Sequence, residues 1–439
     1  MDLSSEQRSA AERDRVSEPD PIALDYLLLA LRLGNLMPGL VDAYFGPPEL
    51  KAQVDAEPPF APAKLREDAS ALETRLDSKI AEEDRRRWLH AQLVAIQAQA
   101  LMLAGDPLPY PDYIACLFDL VPEMTPESVF DSAADDLVRL LPSGELRSET
   151  VADRLARWNA RFIIAPDKLP AAVDWIVGRV REKADRLVGL PTGEHIDFEY
   201  VSGGPWGAFS KYQGRLHTLV EINTEQISRP ADLVHMAALD CYPGRHAERA
   251  WKERRLVGDL GRFEASVSLL NTPAALVREG IASVGERMIA SDGVMPGMLV
   301  ELYERGGLAI AADPAAAKEA AEKQVRIERA LGGLRAVVAN AAYLLHSQGA
   351  TRDDVLAYLR RYLVAGPGRA EKQLALIEDP ISRAEVVVAS EGERLLRRWF
   401  DLGSVGEQVG RFGRLLREEL TPRSIADDLA SIDLIRDGW

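Results

Sequence analysis

The stretch DLVHMAALDCYPGRHAERAWKE, residues 232–253, decides how the rest of the chain is read. It reads as a helix, a Pro-Gly break at Pro243-Gly244, and a second helix. It carries His235 and His246, two of only six histidines in 439 residues, so any imidazole chemistry concentrates here.

Two alternating segments lie just upstream. EHIDFEYV (194–201) and RLHTLVEIN (215–223) have period-2 apolar patterns and read as strands. GGPWGAFSKYQG (203–214) reads as a Gly-rich connection, so the expectation is a small antiparallel β ribbon beside a central cleft. No other region gives a convincing strand. Downstream, 262–270 and 273–290 read as helices, the second started by Thr272 as cap and Pro273 in the first turn.

The remainder is helical in texture. Residues 22–36, 64–104 (two helices), 171–188, 352–363 and 405–420 have apolar positions at helical spacing. Residues 316–346 form one long helix or a pair broken at Gly332-Gly333. The fold class expected is mainly α, a multi-helix body with one small ribbon. The division expected is a mobile tail (1–20), an N-terminal helical region (21–189), a central region (190–292) and a C-terminal helical region (293–439).

Composition narrows the function classes. Lys+Arg 53 against Asp+Glu 69 gives a net charge of −16. That argues against nucleic acid and anionic membrane surfaces as partners, since both need clustered cations. Cys116 and Cys241 are too few for a disulfide scaffold or a thiolate-rich zinc site. No signal segment is visible and no apolar run would span a bilayer, so a cytoplasmic location is expected.

Helical zinc peptidases need two histidines on one helix turn, a Glu beside the first as base, and a third ligand from a later helix. Counting from His235 puts Met236 at the base position and Leu239 at the second ligand position, which leaves one histidine. Counting from Leu239 matches more. Leu239-Asp240-Cys241-Tyr242-Pro243-Gly244-Arg245-His246 resembles the segment His-Glu-x-Tyr-Pro-Gly-His-His. That segment marks an uncharacterised, mainly bacterial family of helical, gluzincin-like metallopeptidase-type proteins. Arg278-Glu279-Gly280-Ile281-Ala282 resembles the family's Glu-Gly-x-Ala helix, which supplies the third metal ligand.

The resemblance implies a metal site, and the residues depart from it. Leu239 stands at the first ligand position, Asp240 at the general base, and Arg245 at one His of the His-His pair. Leucine cannot coordinate zinc, and a guanidinium repels a divalent cation. Only His246 and Glu279 survive as metal candidates. No cofactor is therefore expected, with zinc disfavoured. Arg245 is expected to pair with Asp240 or Glu279 and neutralise the carboxylates left behind.

The expected function is a metallopeptidase-like protein with a degenerate zinc site, its cleft retained for a peptide, small molecule or partner. Asp240, Arg245 and His246 are the catalytic candidates if a rearranged enzyme persists, and Trp206, Tyr212, Asn223 and Tyr242 are candidates for lining the cleft. A structural or assembly role for the helical body is the third reading. His235 on its apolar face, and His217 within a strand, are as readily explained by packing or cross-strand contact.

Overall fold

The computed structural model describes residues 20–144, 149–204 and 206–437. The expected tail lies outside them except for Asp20. The chain is 67% helical and 7% strand, which establishes the mainly α class.

The Asp20 carboxylate accepts from the Ile22 and Ala23 amides and caps the helix Pro21–Leu36. That helix packs with Pro62–Lys79 and Glu83–Leu103 around Tyr26, Leu27, Leu72, Trp88 and Leu89. A larger second core runs from Ala95 to Leu429 and includes Phe118, Trp158, Leu233, Ile281 and Trp399. Packing thus cuts across the boundary read at residue 189. The 316–346 segment is a pair, Pro314–Gly332 and Val337–Ser347, parted at the expected glycines.

The β structure differs from the expectation in two ways. First, β1 (Val41–Tyr44) pairs antiparallel with β5 (Val267–Leu269), where a helix was expected. Both are very short, and β5 is buried at every residue, so neither shows alternation. Second, the ribbon has three strands. They are β2 (His195–Val201), β3 (Ala208–Gly214) and β4 (His217–Asn223), in the order β2-β4-β3. The segment read as a connection contains β3, which takes the antiparallel place beside β4. The strand β2 instead runs parallel to β4, with His195 opposite His217 and Val201 opposite Asn223.

The β3–β4 turn is held from outside. Arg215 and Leu216 both have positive φ, at 56° and 59°, which side chains disfavour. Their amides donate to the Glu253 carboxylate at 2.8 and 3.1 Å, and the Tyr212 hydroxyl donates to the same group. Glu253 thereby pins the hairpin tip to the central helices.

Candidate functional site

The helix Pro230–Met236 leaves the sheet and widens into a π-helical turn, Ala237–Cys241. Such turns insert a residue and re-aim side chains. The chain then reverses at 242–244 and enters the helix Arg245–Lys252. Gly244 lets the reversal close. A Cβ there would lie 2.0 Å from the Leu239 carbonyl oxygen, so no other residue fits without moving backbone. This fold-back brings Asp240 against Arg245.

Arg245 makes the expected pair, and makes it with both carboxylates. Its Nη1 donates to Asp240 Oδ1 at 2.6 Å, and its Nη2 donates to Glu279 Oε1 and Oε2 at 2.8 and 2.9 Å. Ser210 Oγ adds a 3.1 Å bond to Asp240. Burial opposes the guanidinium's charge, but the Glu279 and Asp240 charges outweigh it and raise its pKa. Glu279 stands on Pro273–Ile289, capped by Thr272 as its sequence indicated. Glu385 reaches solvent, yet burial and then the Glu279 and Asp42 charges raise its carboxyl pKa.

His246 belongs to a different, dry set of residues. Its Nε2 lies 2.8 Å from Glu194 Oε2 and its Nδ1 lies 2.7 Å from Thr218 Oγ1. Burial lowers its pKa. The neutral ring therefore donates from Nε2 and accepts the Thr218 hydroxyl at Nδ1. Burial would raise the Glu194 carboxyl, but bonds from His246 and Tyr242 carry it below the usual range. Arg181 Nε donates to the other Glu194 oxygen at 2.8 Å. Thr218, His246 and Glu194 contain the parts of a hydroxyl–imidazole–carboxylate relay. With His246 at 0% and Thr218 at 1% exposure, no substrate reaches the hydroxyl.

The two residues named as metal candidates, should a metal be retained, are engaged with different partners. His246 has both ring nitrogens engaged away from Glu279, and Glu279 is held by Arg245. The expected lining residues have other tasks as well. Tyr242 is buried and donates to Glu194. Tyr212 is buried edge-on against Phe45. Asn223 is fully buried, and its Nδ2 binds the carbonyls of Gly203, Gly204 and Trp206 at 2.8 to 3.2 Å, which shapes the loop before β3. Trp206 is half-buried on that loop beside Phe209. Sequence reasoning missed Glu194, Ser210 and Glu385, which carry no motif of their own.

A second ionic layer lies beneath Arg245. Arg249 pairs with Asp42, Lys252 Nζ lies 2.5 Å from Glu248 Oε1, and Arg278 Nε lies 3.6 Å from Glu248 Oε2. A cavity of about 30 Å³ borders Glu248, Arg249 and Arg278, room for one or two waters. Glu248 Oε2 and Arg278 Nε have no hydrogen-bond partner there.

No protein-family model matches the chain and no curated protein matches it. Among solved structures it is similar to the "putative lipoprotein" of Colwellia psychrerythraea, at 13% identity and a TM-score of 0.49. The match covers 97% of this chain and 72% of that one. Likeness at that level says nothing of function. Among the described residues, no helix is long and apolar enough to cross a membrane.

Proposed function

We propose that this chain is a metallopeptidase-like protein in which an arginine has replaced the metal, leaving a recess that binds a ligand or partner. The observation that carries the reading is the Arg245 guanidinium lying between Asp240 and Glu279. A fixed cation there neutralises the carboxylates at the general-base and third-ligand positions. The degenerate His-Glu-x-Tyr-Pro-Gly-His-His segment supports the same reading. The rearranged-hydrolase alternative loses support because His246 sits in a closed network.

Glu385 has no ion-pair partner among the described residues and lies near Glu279 in electrostatic reach. That favours a ligand with a cationic group, such as the amine of a peptide or small molecule. Free Cys116 and Cys241 and the acidic balance support a cytoplasmic location.

The test restores the missing ligands. The variant Leu239→His, Asp240→Glu, Arg245→His is expected to bind one zinc per chain more than the parent, with Glu279 as a further ligand, measured by isothermal titration. A folded triple variant that binds no additional zinc overturns the reading that Arg245 occupies a metal position. Chelator-sensitive hydrolysis of casein by the unmodified protein overturns the loss of zinc catalysis.

A further inference from the structure

We propose that His195, Asp197 and His217 form a divalent transition-metal site on the solvent face of the three-stranded sheet. Among the described residues they are the group of three or more potential ligands whose donor atoms converge, all within 4.8 Å of one another. The site is separate from Arg245 and from the resemblance that drew attention to residues 232–253.

The strand pairing builds it. Because β2 and β4 run parallel in register, His195 and His217 are direct neighbours. Their rings stack with centroids 4.2 Å apart and planes 6° from parallel. Asp197 is two residues beyond His195, so it shares that face of the pleat. Its Oδ2 lies 3.0 Å from His217 Nε2. His195, Asp197 and Glu199 of β2 are exposed and His217 of β4 is half-buried on the same face, while Thr218, Val220 and Ile222 are buried beneath. The backbone bearing the three ligands is therefore fixed, and the side chains remain open to an incoming ion.

The donor set fits a transition metal. Two imidazoles and one carboxylate suit Zn²⁺, Ni²⁺ or Cu²⁺ rather than Mg²⁺ or Ca²⁺, which select all-oxygen shells. Zinc binds nitrogen and carboxylate oxygen at about 2.0–2.2 Å, so ligand atoms about 3–4 Å apart surround one ion. The Asp197–His217 separation already meets this. The longest separation closes by less than about 1 Å, a small rotation for an exposed side chain. The Nδ1 of His195 faces the Gly193 carbonyl at 3.4 Å, the kind of outer contact that fixes a ligating ring and leaves Nε2 for the metal. Three protein ligands leave the remaining positions to water or to a group on a partner. A bound ion ties β2, an edge strand of this sheet, to β4.

The test uses the full chain, stripped with a chelator and titrated calorimetrically with ZnCl₂. One zinc per chain is expected. The double variant His195→Ala, His217→Ala is expected to weaken it at least about tenfold. His235→Ala, which removes a half-exposed histidine elsewhere, leaves it unchanged. Zinc raises the Tm of the parent and not of the double variant. If the double variant loses its helical circular dichroism, Asp197→Asn is titrated in its place with the same expected loss. A parent that takes up no zinc overturns the proposal, as does a folded double variant that binds like the parent.

Discussion

Arg245 grips Glu279 through a forked contact, Nη2 lying 2.8 Å from one carboxylate oxygen and 2.9 Å from the other. The same guanidinium holds Asp240 at 2.6 Å. Two carboxylates from distant parts of the chain thus share one cation, and the central helix turn is tied to Pro273–Ile289. Removing that cation leaves both acids facing each other. Arg245→Met is expected to destabilise the fold by about 1–3 kcal/mol, below the figure for a fully buried pair because the site is partly open to water. Arg245→Lys recovers only part of this, because a point charge cannot fork. Urea unfolding midpoints of the three proteins check the order.

The Glu279 helix is positioned by glycines. A Cβ on Gly280 would lie 2.5 Å from the Gly392 carbonyl oxygen, and one on Gly392 would lie 2.5 Å from the Leu276 carbonyl oxygen. Helices Pro273–Ile289 and Val388–Asp401 therefore touch backbone to backbone. Gly280→Ala and Gly392→Ala each force them apart and are expected to lower stability by about 1–3 kcal/mol. Because the residues share one contact, the double variant loses less than the two effects added. Gly410→Ala, with open space around its Cβ, is the control and leaves the midpoint unchanged or higher.

His246→Ala separates a structural role from a catalytic one. The substitution strips Glu194 and Thr218 of a partner inside a dry network. A loss of about 2–4 kcal/mol is expected, from the cavity and the unsatisfied carboxylate together. Thermal unfolding measures it. A His246→Ala protein as stable as the parent contradicts the structural role.

Much of this was legible beforehand, for local reasons. The Thr272-Pro273 start and the Gly332-Gly333 break are short-range signals, and each lies where the sequence put it, whereas Asp20, read as part of the tail, caps the first described helix. The Arg245 pairing followed from the resemblance, which places a cation among the carboxylates Asp240 and Glu279. What failed depended on direction. Residues 245 and 246 leave a helix about 100° apart, so when Arg245 faces Glu279, His246 faces the sheet. A motif read as a string cannot show that divergence. Alternation marks a strand but not whether its neighbour runs parallel, so β2 was paired with β4 in the wrong sense. The hairpin turn at Arg215-Leu216 lacks the Asn-Gly signature because Glu253, remote in sequence, holds it.

His235 gives a pH test independent of all these. Its Nδ1 lies 3.0 Å from Glu286 Oε1. Burial pulls the imidazole pKa down, but the hydrogen bond and charge of Glu286 outweigh it, so the folded value is raised. A raised folded pKa means the folded state holds the proton more tightly. The stabilisation is therefore complete below the unfolded value of about 6.5 and lost as pH rises through the folded value. The side chain is half exposed, so solvent screening keeps the effect within about 1 kcal/mol. Glu286→Gln should lower stability relative to the parent near pH 5.5 and have little effect near pH 8.5. An equal difference at both pH values would mean that Glu286 acts through packing and not through the charge on His235.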